Sequence, residues 1–282
     1  MKKLVSVIVI GVLTLSCLFA GGSKDTQSGG AQQAGSQSGA PYTIEVGGST
    51  SVTPLMELFA EAYAKVKPNI KININATGSG DGIKSAGVLY QIGMSSRELT
   101  PTEQGQGLIE EIIAIDGIAA IVNSANPVGN LTIEQIRDIF TGAITDWSQV
   151  SGGTKRGRIA VISREEGSGT RGAFEELVGF QDKLLNGATE STSTGAIKAG
   201  ITQNPDAIGY ISLGSLDNSI KALSVGGVPA TVANVVNGSY KIARPFIVLS
   251  NNSAHAESKA FLEWMLKPDA QAIVKTSWIP VN

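Results

Sequence analysis

The chain has 282 residues, of which 42% are hydrophobic and 16% charged, with 34 glycines and a formal net charge of −2. This composition suits a folded chain with substantial cores and excludes a fibrous or low-complexity one, and the slight acidic excess argues against a nucleic acid partner. Cys17 is the only cysteine, which excludes a disulfide framework and thiol chemistry in the folded part.

Lys2 and Lys3 precede an apolar run, Leu4 to Leu15, too short to span a bilayer permanently; this is the pattern of an export signal. The run ends in Leu13-Thr14-Leu15-Ser16-Cys17, where bacterial lipoproteins carry the cysteine that is cut free and acylated. The expectation is a signal peptide over 1–16 and a lipid-anchored flexible tether over 17–40, dominated by Gly, Ser, Ala and Gln. Cleavage after Ala20 with free secretion is the alternative.

Alternation in Tyr42-Thr43-Ile44-Glu45-Val46 predicts a strand, and Leu55, Met56, Leu58, Phe59, Ala62, Tyr63 and Val66 recur at helical spacing, with Ser51 as the expected N-cap and Pro54 in the first turn. Gly47-Gly48-Ser49-Thr50 joins the two. The arrangement recurs with Ile70, Ile72 and Ile74, then Thr77-Gly78-Ser79-Gly80-Asp81-Gly82 and a helix from Ile83. A strand over Leu89 to Ile92 leads into Gly93-Met94-Ser95-Ser96. The third strand-to-helix corner runs from Arg158–Ser163 through Glu165–Thr170 into a helix over Arg171–Val178. Strands alternating with helices predict an α/β fold of mixed sheets flanked by helices, with ligands beyond the carboxyl ends of strands. Ile112 to Asn123 and Ala243 to Ser250 are extended and apolar enough to cross between domains. The expected domains are 41–118 with 247–282, and 119–246.

Such corners supply free N–H groups, hydroxyls and the positive end of a helix dipole, the donors a desolvated anion needs. In Arg164-Glu165-Glu166-Gly167-Ser168-Gly169-Thr170 one segment adds a guanidinium capable of bidentate contact. A tight turn with a capped helix is the plain reading of any one corner, and three on strand ends favour a ligand.

The chain resembles the phosphate-binding proteins of Pst-type ABC importers over nearly all of its mature length. The resemblance rests on Gly48-Ser49-Thr50-Ser51, Thr77-Gly78-Ser79-Gly80, Ile92-Gly93-Met94-Ser95-Ser96-Arg97 and Gly167-Ser168-Gly169-Thr170-Arg171. It extends to Leu131-Thr132 through Ile139-Phe140-Thr141-Gly142 to Asp146-Trp147, and to Ala207-Ile208-Gly209-Tyr210-Ile211. It implies a two-lobed periplasmic-binding-protein fold that closes by a hinge on inorganic phosphate in the interdomain cleft, without covalent chemistry, cofactor or metal. The implied partners are an ABC permease and its ATPase, and a monomer is expected. Carried over position by position, the phosphate donors are Thr50, Ser51, Ser79, Arg164, Ser168, Gly169 and Thr170. Many family members have a carboxylate where Ser96 stands, able to accept the proton that phosphate keeps and sulfate lacks. Ser96 or Asp81 is the expected acceptor here, and Asp81 could equally be a first-turn helix acid. Sulfate or molybdate remains the alternative ligand.

A secreted phosphatase is the rival class, but the chain contains neither a G-x-S-x-G elbow nor a G-x-x-x-x-G-K-[ST] loop. His255, the only histidine, is expected at the surface near the start of a helix over Glu257–Leu266. Trp264 shares a helical stripe with Phe261, Leu262 and Met265 and is expected in the core, and Trp147 is expected to be packed or to meet a partner. Glu110-Glu111 and Glu175-Glu176 are expected on solvated faces.

Overall fold

The computed structural model describes residues 40–150, 152 and 154–282. The expected signal segment, Cys17 and the tether up to residue 39 lie outside the described residues. In chain order the first part comprises β1 (Tyr42–Gly48), α1 (Thr53–Val66), β2 (Ile70–Ala76), α2 (Ser79–Ser85), β3 (Ile92–Ser95), α3 (Pro101–Gln104) and β4 (Ile109–Asn123). The middle comprises β5 (Asn130–Leu131), α4 (Ile133–Thr141), β6 (Ala160–Arg164), α5 (Gly169–Val178), β7 (Thr189–Ser191), α6 (Thr194–Gln203), β8 (Ala207–Ser212), β9 (Ile220–Ala222), β10 (Ser224–Val225) and α7 (Val232–Val236). β11 (Ala243–Ser250), α8 (Ala256–Met265) and α9 (Pro268–Val274) complete it.

The main sheet runs β2-β1-β3-β11-β4-β8-β6-β7, with β9 also pairing with β4 and a small β10-β5 sheet apart. β1 is parallel to β2 and β3, and β6 is parallel to β7 and β8. β4 and β11 pair antiparallel at the centre, with a register shift between Phe246 and Ile247. Two aromatic-rich cores flank this pair. One gathers Ile44, Phe59, Ile113, Ala114, Phe246 and Trp264; the other gathers Ile118, Val122, Phe140, Trp147, Phe174 and Tyr210. β4 thus leaves one core after Ala114 and enters the other at Ile118, so any closing of one half on the other must bend this strand and its neighbour.

The local physics follows the alternation. Ile44 and Val46 on β1 are buried, while Glu45 on the opposite face accepts from Asn73 Nδ2 at 2.7 Å. Several boundaries differ from expectation. The N-cap of α1 is Val52, with no side-chain cap, because the Ser51 hydroxyl is turned to Thr170 instead. The strand expected at Leu89–Ile92 starts at Ile92, since the Ser85 carbonyl collects the amides of Val88, Leu89 and Tyr90 in a turn. α2 begins at Ser79 rather than near Ile83, and α5 begins at Gly169 because Ser168 caps it by accepting from Arg171 N.

Trp147 is fully buried in a 3-10 turn and donates through Nε1 to Asp206 O at 3.1 Å, so it is packed. Trp264 lies in the first core, edge-on to Phe59. His255 caps α8 by accepting at Nδ1 from Glu257 N and stacks on Tyr42 with ring centroids 4.1 Å apart. Glu175 departs from the expected solvated face: it is buried, and its carboxylate accepts from Arg171 Nε at 2.7 Å, a paired environment that makes burial tolerable.

Candidate functional site

The three corners leave the carboxyl ends of β1, β2 and β6, and the Ser95-Ser96 turn leaves the end of β3. Gly48 makes the first convergence possible. Its φ of 134° favours glycine, and a Cβ there would lie 2.3 Å from Met94 O, so only glycine lets β1 and β3 come this close. Ser49 N then donates to Met94 O at 3.0 Å, and Thr77 N and Gly78 N both donate to Gly48 O. The first two corners and the Ser95-Ser96 turn are thereby tied together by backbone.

Their hydroxyls form one buried cluster. Ser49 Oγ donates to Ser96 Oγ at 2.8 Å, Ser96 and Ser79 share a hydrogen bond of 3.2 Å between hydroxyls, and Ser96 N donates to Ser79 Oγ at 3.1 Å. From the other half of the molecule, Thr170 Oγ1 lies 2.7 Å from Ser51 Oγ, and Thr194 Oγ1 lies 3.2 Å from both Ser51 Oγ and Thr50 Oγ1. Gly80 N donates to Gly167 O at 2.9 Å, joining the second corner to the third by backbone. Thr50, Ser51, Ser79, Ser96, Ser168 and Thr170 are all buried. So many polar atoms buried together are costly unless each is partnered, and here the hydroxyls partner one another, apart from Ser168 Oγ, which accepts from Arg171 N.

Arg164 closes β6 with a fully buried side chain. Nε and Nη2 make a two-pronged ion pair with Glu165 at 2.9 and 2.7 Å, Nε also donates to Ser191 O, and Nη1 makes no hydrogen bond to another described residue. Tyr210 supports the turn from behind: its hydroxyl accepts from Arg164 N at 3.2 Å and bonds Ser163 Oγ at 2.8 Å. Burial pushes the Tyr210 phenol up to about 12, so it stays a neutral hydroxyl. The amides of Gly169 and Thr170 belong to the first turn of α5, where N–H groups have no intrahelical partner.

Asp81 is held elsewhere. Its Oδ1 accepts from Ser85 Oγ at 3.2 Å and its Oδ2 from Tyr90 OH at 3.1 Å. A hydrogen bond from Thr77, then those from Tyr90 and Ser85, lower its pKa. The structure gives it no bond to the hydroxyl cluster.

Sequence reasoning missed three residues that the fold brings in. Thr194 lies in the first turn of α6 and bonds Thr50 and Ser51. Arg244 on β11 and Asp116 on β4 are directly opposed in the strand register and form a fully buried ion pair at 3.1 Å. Burial is the largest influence on both, lifting the Asp116 carboxyl and lowering the Arg244 guanidinium, each against the pull of its partner. The only local hint was a lone arginine opening an apolar strand. Among the described residues no group of three or more His, Cys, Asp and Glu could hold a metal ion, and no helix is long and apolar enough to cross a membrane.

Two cores sharing a pair of crossing strands, with polar corners from both halves meeting in one cluster, define a two-lobed α/β binding protein. The PBP superfamily domain model matches residues 26–269, and a phosphate ABC transporter substrate-binding protein of Clostridium perfringens, solved with bound phosphate, is 45% identical with a TM-score of 0.82 over 86% of this chain and 100% of that one. The chain belongs to the PBP superfamily, among the PstS-type ABC transporter substrate-binding proteins. An ABC-type phosphate transport receptor of Vibrio cholerae is 35% identical, with a TM-score of 0.70 over 85% of this chain and all of that one. Phosphate-binding protein PstS 2 of Streptococcus agalactiae is 41% identical over 152 residues, 50% of this chain and 52% of that protein, so this match spans about half the length of each.

Proposed function

We propose that the chain binds inorganic phosphate with high affinity between its two lobes, outside the cytoplasmic membrane, and delivers it to the permease and ATPase of an ABC importer. It is a binding protein and not an enzyme, as its named relatives are. The observation that carries this reading is the convergence of hydroxyls from four strand ends, one of which, β6, closes with the buried guanidinium of Arg164, whose Nη1 makes no hydrogen bond to another described residue. Thr50, Ser51, Ser79, Ser168 and Thr170 offer hydroxyl donors, Gly169 and Thr170 offer amides, and Arg164 offers charge. Binding exchanges neutral hydroxyl pairs for charge-assisted hydrogen bonds, which are roughly twice as strong.

Ser96 is the acceptor we assign to the proton that phosphate retains. It sits between Ser49 and Ser79 inside the cluster, whereas Asp81 is occupied by Ser85 and Tyr90. The lobes run over 41–118 with 247–282 and over 119–246, hinged at β4 and β11; the two cores support this division except at the crossing residues, where Ile118 packs in the second core and Phe246 in the first. Export with acylation at Cys17, the tether over 17–40 and a monomeric state complete the proposal; one ligand per cleft requires no symmetry.

Calorimetric titration of the chain with phosphate, arsenate, sulfate and molybdate tests it. Phosphate is expected to bind more tightly than sulfate, with Ser96→Ala narrowing that preference and Asp81→Asn leaving it intact. Tighter sulfate binding would overturn the ligand assignment, and an unchanged preference in Ser96→Ala would overturn the assigned acceptor.

A further inference from the structure

Arg244 stands where the two crossing strands meet the hydroxyl cluster. Its guanidinium divides its donors between three elements: Nε and Nη2 go to Asp116 Oδ2 at 3.4 and 3.1 Å, and Nη1 goes to both Ser96 O at 2.8 Å and Thr170 Oγ1 at 2.9 Å. Asp116 Oδ1 in turn accepts from Ser212 Oγ at 2.8 Å, so both carboxylate oxygens are used. One side chain therefore touches the Ser96 turn of the first lobe and the α5 corner of the second while anchored on the hinge.

The contact with Thr170 has a directional consequence. A hydroxyl has one hydrogen and two lone pairs. Arg244 Nη1–H occupies a lone pair of Thr170 Oγ1, and the positive guanidinium repels the hydroxyl hydrogen toward the opposite side. The other hydrogen-bond partner of Thr170 Oγ1 is Ser51 Oγ, 2.7 Å away. The Thr170 hydrogen is thus aimed into the cluster, where an anion oxygen would receive it without the cost of turning the hydroxyl first.

Starting from the reading of this cluster as the anion site, we propose that Arg244 is a positioning residue: it fixes the Thr170 hydroxyl as a donor to the oxyanion and holds the Ser96 and α5 corners in register across the hinge. Asp116 keeps the guanidinium in its two-pronged orientation. Arg244 acts through Thr170 and Ser96 O; its Nε, Nη1 and Nη2 all donate to protein atoms. A lysine cannot replace it, because a point charge on a flexible stem cannot serve Asp116, Ser96 O and Thr170 together.

The test is phosphate calorimetry on the full chain, comparing wild type with Arg244→Gln, Arg244→Lys, Thr170→Val and the double variant Arg244→Gln/Thr170→Val. Arg244→Gln and Arg244→Lys are each expected to weaken phosphate binding on the order of tenfold. On the Thr170→Val background, Arg244→Gln is expected to weaken it by no more than about twofold, because the hydroxyl it orients is gone. A merely structural Arg244 would impose the same factor on both backgrounds, and that result would overturn the proposal. So would wild-type affinity in Arg244→Gln.

If Arg244→Gln leaves Asp116 buried without its partner and does not fold, Arg244→Gln/Asp116→Asn replaces it, since removing both charges of a buried pair is tolerated far better than removing one. This pair is expected to show the same loss, again suppressed by Thr170→Val. Failure of wild type to bind phosphate at all would instead sink the anion-site reading and the proposal with it, whereas binding by wild type that is indifferent to Arg244 sinks the proposal alone.

Discussion

Gly169 and Ser79, ninety residues apart and in different lobes, approach so closely that a Cβ on Gly169 would stand 2.4 Å from Ser79 Oγ and 2.9 Å from Ser96 Oγ. The second lobe's helix start can reach the first lobe's hydroxyls only because position 169 lacks a side chain. Gly169→Ala is therefore expected to hold the lobes apart at the site. The overpacking cost of about 1–3 kcal/mol should appear mainly in ligand affinity, a loss on the order of 10- to 100-fold for phosphate. Calorimetry reads the affinity, and urea unfolding of the ligand-free variant checks that each lobe's stability is little changed.

Arg164 and Glu165 form a second test. The guanidinium is buried and oriented by two contacts to Glu165, leaving Nη1 without a hydrogen bond to another described residue. Arg164→Gln removes the charge and is expected to cost about 1.5–3 kcal/mol of phosphate affinity, roughly 10- to 100-fold. Glu165→Gln keeps the charge but loosens its orientation, so a smaller loss is expected. If Arg164→Gln binds phosphate like wild type, the third corner does not hold the anion.

How far the sequence disclosed this site depends on the range over which each residue acts. Ser79, Ser168 and Thr170 sit in glycine-rich corners whose strand and helix are both local, so their placement at strand ends could be read directly. The pairing that brings Ser51 to Thr170 spans 119 positions and appears only when the two lobes are assembled. Arg244 and Asp116 are separated by 128 positions and lie in apolar strands whose pattern says core. Their burial becomes sensible only when the register of β4 and β11 sets them opposite each other. Asp81 shows the converse. Proximity in sequence to Gly80 suggested the anion, yet the turn at Ser85 brings Tyr90 back onto its carboxylate. The α1 boundary failed for a related reason, since a serine that would ordinarily cap a helix is committed across the lobes.

The corner behind Ser96 carries a pH dependence. Arg97 grips Glu103 with Nη1 and Nη2 at 2.7 and 2.8 Å, and Thr100 completes a capping box with the same carboxylate. The hydrogen bond from Arg97 is the largest cause holding the Glu103 carboxyl down at about 2. A depressed carboxylate contributes stability that is present above its ordinary pKa and lost as pH falls toward the folded value. Stability in urea is therefore expected to fall between about pH 4.5 and pH 2, and Glu103→Gln should flatten part of that fall while lowering stability at neutral pH by about 1 kcal/mol. An acid profile identical in the variant would show that the pair contributes nothing.

Tyr210 offers the opposite sign and separates support of the site from contact with ligand. Its ring stacks on Phe174 at 4.2 Å, and its hydroxyl is the acceptor for Arg164 N–H. Tyr210→Phe keeps the ring and removes the acceptor, leaving a buried amide and the Ser163 hydroxyl short of a partner, which should cost about 1–3 kcal/mol in urea unfolding. Because burial holds the phenol at about 12, the unfolded chain ionises first as pH rises, and stability present below about pH 10 is lost on the way to the folded value. Tyr240, also raised by burial, contributes in the same direction, so Tyr210→Phe should remove only part of the alkaline fall. Phosphate affinity should drop less than in Arg164→Gln, since Tyr210 supports the backbone of the corner and bonds no group of the hydroxyl cluster itself. A larger drop than in Arg164→Gln would mean that placement of the Arg164 turn outweighs its charge.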